Sequence, residues 1–288
     1  MGTSSSSTGP GKGVPFDPPW LDLIVVPQPS TGSPEPDHVG DLPHETNVPD
    51  SQEKQATTQL PCKLATTRRF ADARRYLGDF ARTSNRDSFR KAVGHYSRTG
   101  MGGATNLAKR MRLSTKTAAG MVAFFQDIRS GSESRHSQWI SSLAARNPSA
   151  QEVMDVIIQQ ITSNGGSIDE SSCYDSMVRA MTDLMCSRPD INLLNMSDGD
   201  IWTLVELFLS KEACNRLRLD IGKLFESEDL NPRDGVLRAN EMLEYIKSEI
   251  SAQIRLLRGM TVNPSPSQLE SLLQDALKNT FLVYEGTL

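Results

Sequence analysis

The sequence predicts an all-α protein, a helical bundle open to division into two lobes, preceded by a long disordered N-terminal tail rich in Gly, Ser and Pro. Three observations predict it. Apolar residues recur every three or four positions from about residue 66 onward, eleven of the sixteen prolines fall in residues 1–61, and no stretch alternates apolar and polar residues as a half-buried strand does. The divisions expected are a tail over 1–62, a basic helical region over 63–130 and an acidic helical bundle over 131–288, with a boundary near 130–148.

The tail opens with Ser4-Ser5-Ser6-Ser7 and Gly9-Pro10-Gly11-Lys12-Gly13. Such a segment buries too little apolar surface to offset an ordering cost of about 1–2 kcal/mol per backbone residue. One island interrupts it near residues 14–26, where Phe16, Pro18, Pro19, Trp20 and Leu21 lead into an aliphatic run ending at Val26. Two aromatics in a proline-rich leash read as a short docking segment for another protein.

Phe70, Ala73, Leu77, Phe80 and Ala81 mark the buried face of the first helix. Phe89, Val93 and Tyr96 mark a second and Leu107, Ala108 and Met111 a third, with Gly100, Gly102 and Gly103 as the break between them. Met121, Phe124, Phe125 and Ile128 belong to a fourth. Asn147-Pro148 is expected to open a helix through Val153, Val156, Ile157 and Ile161, ended by Gly165-Gly166. Ser197 with Asp200 and Ser265 with Gln268 read as capping boxes for two more. The longest helix is expected over Val236 to Met260, where Leu243, Ile246, Ile250, Ile254 and Leu257 form a seam.

Charge is unevenly spread. Residues 1–60 carry 2 Lys and Arg against 8 Asp and Glu, residues 61–116 carry 14 against 3, and the remainder 15 against 24. In the basic block, Arg86, Arg90, Lys91, Lys109, Arg110 and Arg112 belong to no stripe of alternating charge and are candidate nucleic-acid contacts. The helix beginning near Ser114-Thr115 follows a short helix as a recognition helix does. Two other readings compete: an acidic protein surface, or the chain's own acidic half. Arg68, Asp72, Arg75, Asp79 and Arg82 alternate in sign along one stripe, so part of the charge is met within a helix.

Catalytic and metal chemistry find little purchase. His38, His44, His95 and His136 have no sequence partners that mark a nucleophile and base, and Cys62, Cys173, Cys186 and Cys214 form no C-x-x-C pair. No catalytic residue, cofactor or metal is expected. Gly9-Pro10-Gly11-Lys12-Gly13 lacks the spacing and flanks of a phosphate loop. With no run of 18 apolar residues and no secretory pattern, the chain is expected in the cytoplasm and off the membrane. Met1-Gly2 with Ser6 fits the N-myristoylation pattern, but the acidic tail supplies no basic patch to reinforce a single acyl chain. The other reading of the Gly2 amine is conjugation by a dedicated enzyme.

The opening Met1-Gly2-Thr3-Ser4-Ser5-Ser6 with Gly9-Pro10-Gly11, then Val14-Pro15 and Pro18-Pro19-Trp20-Leu21, resembles the QatB family of the bacterial Qat anti-phage defence system. The likeness continues through Arg68-Arg69-Phe70, Arg74, Phe80-Ala81, Arg90, Ala92-Val93, Tyr96 and Ala119-Gly120. The resemblance implies an operon shared with an ATPase subunit, a QueC-like enzyme of deazaguanine chemistry and a TatD-like nuclease. It further implies that Gly2, freed by loss of Met1, is the acceptor of a deazaguanine base joined by the QueC-like enzyme. The tail would then serve that enzyme and the helical body the ATPase. A leash of Gly and Ser can thread a deep active site, because small side chains let the backbone approach closely.

Overall fold

Serine side chains decide where four of the helices begin. In the computed structural model, Ser149, Ser167, Ser197 and Ser265 each accept a hydrogen bond from the backbone N–H three residues ahead. At Ser149, Ser167 and Ser265 the third residue, Glu152, Glu170 or Gln268, reaches back to the serine N–H and completes a capping box. The structure describes residues 68–130, 139–140, 142–143, 145–146, 148–162, 166–226, 230–260 and 264–288. All of them belong to one compact unit, residues 62–288. The expected tail over 1–62 and its docking segment lie outside the described residues.

Among the described residues the elements are helices α1 (Ala71–Thr83), α2 (Arg86–His95), α3 (Ala104–Arg110), α4 (Arg112–Ser130), α5 (Ala150–Ile161), α6 (Ile168–Ser187), α7 (Asp198–Ile221), α8 (Pro232–Met260) and α9 (Pro266–Glu285), and no strand. A wide turn over Tyr96–Gly100 joins α2 to α3, and a 3-10 turn over Gly222–Glu226 follows α7. Ser84, at a left-handed φ of 57°, and the Asn85 cap turn α1 tightly into α2. Gly102 and Gly103 take φ of 77° and 107°, which β-carbon-bearing residues rarely adopt, and so end the wide turn and start α3.

Two expected boundaries move. The helix expected after Asn147-Pro148 starts at Ala150, because Ser149 with Glu152 supplies the fuller cap. The longest helix starts at Pro232 rather than Val236, since Asn231 accepts from the Arg233 N–H at 3.0 Å and Pro232 gives up no needed donor in the first turn. Its seam is Met242, Ile246, Ile250, Ile254 and Leu257, with Leu243 only half-buried.

One hydrophobic core runs from Ala73 of α1 to Tyr284 of α9. Helix α7 lies at its centre, burying Ile201, Leu204, Phe208, Leu209, Ala213 and Leu217 against α4, α6 and α8. Helix α9 closes the other side over α2, α3, α4 and α8. Where α1, α2, α8 and α9 meet, Phe89 packs its ring 5.2 Å from Phe80, 5.5 Å from Tyr245 and 6.2 Å from Tyr284 between centroids. Tilted and edge-on aromatic pairs of this kind add to what burial alone contributes.

Candidate functional site

Helices α1 to α4 carry the basic block, and their apolar faces point it outward. With Ala73, Leu77, Phe80, Phe89 and Val93 committed to the core, the remaining positions of α1 and α2 present arginine and lysine to solvent. The alternating stripe on α1 pairs as expected: Arg75 meets Asp72 at 3.5 Å and Arg82 meets Asp79 at 2.6 Å.

The candidate contact residues do not form one cluster of free cations. Arg86 lies over the Tyr245 ring at 5.0 Å and Lys91 over Tyr76 at 5.7 Å. Tyr76 also receives Arg75 at 4.6 Å and stacks on His95, with centroids 5.3 Å apart and planes within 5°. Cations thus settle on aromatic faces that would otherwise meet water. Arg112 has a partner the sequence reading missed: its Nε donates to Glu270 Oε1 of α9 at 3.0 Å. The two residues are 158 positions apart, beyond any local spacing rule. Among the described residues, Arg90, Lys109, Arg110 and Lys116 form no ion pair, and all but the half-buried Arg90 are exposed.

The helix expected near Ser114-Thr115 starts two residues earlier. Helix α4 begins at Arg112, Ser114 and Thr115 are fully buried, and the helix packs against α7 and α9. Its outward stripe is confined to positions such as Arg112, Lys116 and Gly120.

Gly2, Phe16, Pro18, Pro19, Trp20 and Leu21 lie outside the described residues, as do His38, His44, His136 and Cys62. His95 is half-buried in its stack with Tyr76, and its Nδ1 has no hydrogen-bond partner among the described residues. Among the described residues no three metal-ligating side chains gather, and no helix is long and apolar enough to cross a membrane.

A buried polar network, unseen in the sequence, joins α6 to α7. Glu212, with no exposed surface, accepts from Ser172 and Ser176, each at 3.0 Å, and from Arg216 Nε at 3.3 Å. Arg216, 3% exposed, also donates from Nη1 to Asp169 Oδ1 at 2.6 Å. Asn215 donates to Ser176 at 2.9 Å and to Asp175 at 3.3 Å. Burial raises the Glu212 carboxyl above its usual range, outweighing the hydrogen bond from Ser176 and the Arg216 charge. Burial opposes the Arg216 charge too, but the Asp169 hydrogen bond and the Glu212 charge hold that guanidinium above its ordinary value. The sequence signal was there: Glu212 and Arg216 continue the three-and-four spacing of the apolar Val205 and Leu209.

Chemically the network locks two helices in register, and Glu212 is shut away from any substrate. Cys173 beside it is pushed up to about 12, chiefly by burial and then by Glu212, so its thiolate is suppressed.

A family model described as QatB, Qat anti-phage system associated protein, matches residues 102–284, more than half of the chain. No curated protein and no solved structure matches it.

Proposed function

Because this chain belongs to the QatB family of Qat anti-phage system associated proteins, we propose that it acts in that system as a non-catalytic adaptor whose tail is modified and whose helical body docks to other components. Gly2, after loss of Met1, accepts a deazaguanine base from the QueC-like enzyme of the system. Phe16, Pro18, Pro19, Trp20 and Leu21 hold the tail against that enzyme, and the body engages the ATPase subunit. The TatD-like nuclease is a further partner.

The observation that carries this reading is the family match over 102–284, a segment that includes all of α3 to α8 and most of α9. The chemistry of the described residues favours it as well: the buried carboxylate and thiol are sequestered within the core, where a substrate cannot reach them.

Intact-mass analysis and peptide mapping of the full chain, co-expressed with the QueC-like enzyme, test the modification. A peptide beginning at Gly2 and heavier by a deazaguanine-sized group is expected. An unmodified terminus under conditions of active defence rejects it.

Arg90, Lys109, Arg110 and Lys116, which form no ion pair among the described residues, favour a second reading, a nucleic-acid adaptor working through the basic 63–116 region with Arg86, Lys91 and Arg112 alongside. Binding of duplex or single-stranded DNA should then weaken steeply with salt, and no binding at low salt ends that reading.

A further inference from the structure

Where the first half of α6 faces the last turns of α7 there is a cleft of about 410 Å³. Ile168 and Asp175 line it from α6, Asn215, Arg218 and Leu219 from α7, and Phe225 from the turn that follows. Ile168 is 73% exposed and Leu219 61%, so two large aliphatic side chains on different helices stand in water at one opening. Scattered exposed aliphatics are ordinary, whereas these two share one concave opening.

The charge at the cleft is specific. Asp175 is met within the chain, by Arg179 at 3.0 Å and the Asn215 amide at 3.3 Å. Arg218 is exposed and makes no ion pair among the described residues. A surplus positive charge thus stands beside Leu219 and Phe225, in a cleft that Ser171, Ser172 and Asn215 also line and in a half of the chain where acidic residues outnumber basic ones 24 to 15. Beneath the cleft, the Glu212 network holds Ser172 and Asn215 in place, so the floor is pre-organised.

We propose that this cleft is a docking site for an acidic, amphipathic segment of another protein of the Qat system, which seats an apolar side chain between Ile168, Leu219 and Phe225 and sets a carboxylate against Arg218. A large side chain in a lined pocket with a charge pair at its edge is the usual anatomy of a hot spot. The inference rests on the reading that the body docks to other components. The cleft lies wholly within the segment matched by the family model.

The test uses the full chain co-expressed with the other proteins of its system, with a photo-reactive benzoylphenylalanine at position 219. Mass spectrometry is expected to find it cross-linked to a partner peptide that combines apolar residues with Asp or Glu. Leu219→Asp and Arg218→Glu, both at exposed positions and checked for unchanged circular dichroism, should each weaken co-purification at least tenfold. Changing the cross-linked carboxylate to Lys should restore binding to the Arg218→Glu variant. A complex that forms but yields no such cross-link and ignores both substitutions overturns the cleft alone. Cross-links only to a second copy of this chain, or a small molecule bound in the cleft by native mass spectrometry, also overturn it. Failure of the wild-type chain to associate with any component overturns the docking reading and the cleft with it.

Discussion

The hydroxyl of Tyr96 donates to the Asp220 carboxylate at 2.8 Å, tying the wide turn after α2 to the end of α7. Arg74 Nη2 adds a hydrogen bond to the Asp220 carbonyl at 3.1 Å. Burial, then the Asp220 charge, holds the Tyr96 phenol well above the usual tyrosine range. Tyr96→Phe leaves the carboxylate without its donor and should cost about 1.5–3 kcal/mol, as hydrogen bonds to charged groups do. The folded chain keeps the Tyr96 proton where the unfolded chain loses it, so stability falls as pH rises past the ordinary tyrosine value. Urea melts of both proteins across alkaline pH measure the two effects, and the fall should be shallower in the variant.

Removing Glu212 should be more damaging. Glu212→Ala leaves Arg216 buried with only the half-exposed Asp169 for company, a loss of about 3–5 kcal/mol by analogy with broken buried pairs. Glu212→Gln keeps an acceptor for Ser172 and Ser176 and should cost less. Because the folded-state carboxyl is raised, its contribution is fullest below the ordinary glutamate range and is lost as pH rises through the raised value. The wild-type chain should therefore lose stability as pH rises out of the ordinary glutamate range, by an amount the Gln variant does not share. Denaturant midpoints over that window decide it.

Gly94→Ala should loosen α2 from α9. A Cβ there would meet the Tyr284 carbonyl oxygen at 2.6 Å and the Leu288 side chain at 3.1 Å. Backbone cannot yield as a side-chain tip can, so the helices must separate, at about 1–3 kcal/mol. Thermal melts measure the loss, and an unchanged midpoint contradicts the close approach.

Thiol labelling should separate the described cysteines. Cys186 is exposed, while Cys173 and Cys214 are buried and each pushed up to about 12, burial being the first cause for both. In native protein Cys186 should react quickly with a disulfide reagent and the other two only as fast as the body opens. Mapping the modified peptides over time checks the order.

Local patterns were the legible part of this molecule. The Phe80–Ala81 face, the glycine break before α3, the Ser265–Gln268 box and the long seam of α8 all depend on residues a few positions apart, and all stand in the structure. Ser149 with Glu152 and Ser167 with Glu170 were equally local but were passed over, the first for the neighbouring Asn147-Pro148. Pairing across the fold was not legible: Arg112 with Glu270, Tyr96 with Asp220 and Ser97 with Glu285 join residues more than a hundred positions apart. Of these, Arg112 with Glu270 is an ion pair between the basic block and the acidic half. The resemblance rested mostly on motifs before residue 102, whereas the family match covers 102–284, so Ala119-Gly120 alone of the quoted body motifs falls inside it.

The closing helix α9 packs on α2, α3, α4 and α8. During synthesis, therefore, α2, α3, α4 and α8 leave the ribosome with sticky faces uncovered, and they stay so until α9 has followed them. A truncation within α9 would not trim an appendage. It would strand α2, α3, α4 and α8 short of their final partner and deliver the product to proteases and chaperones.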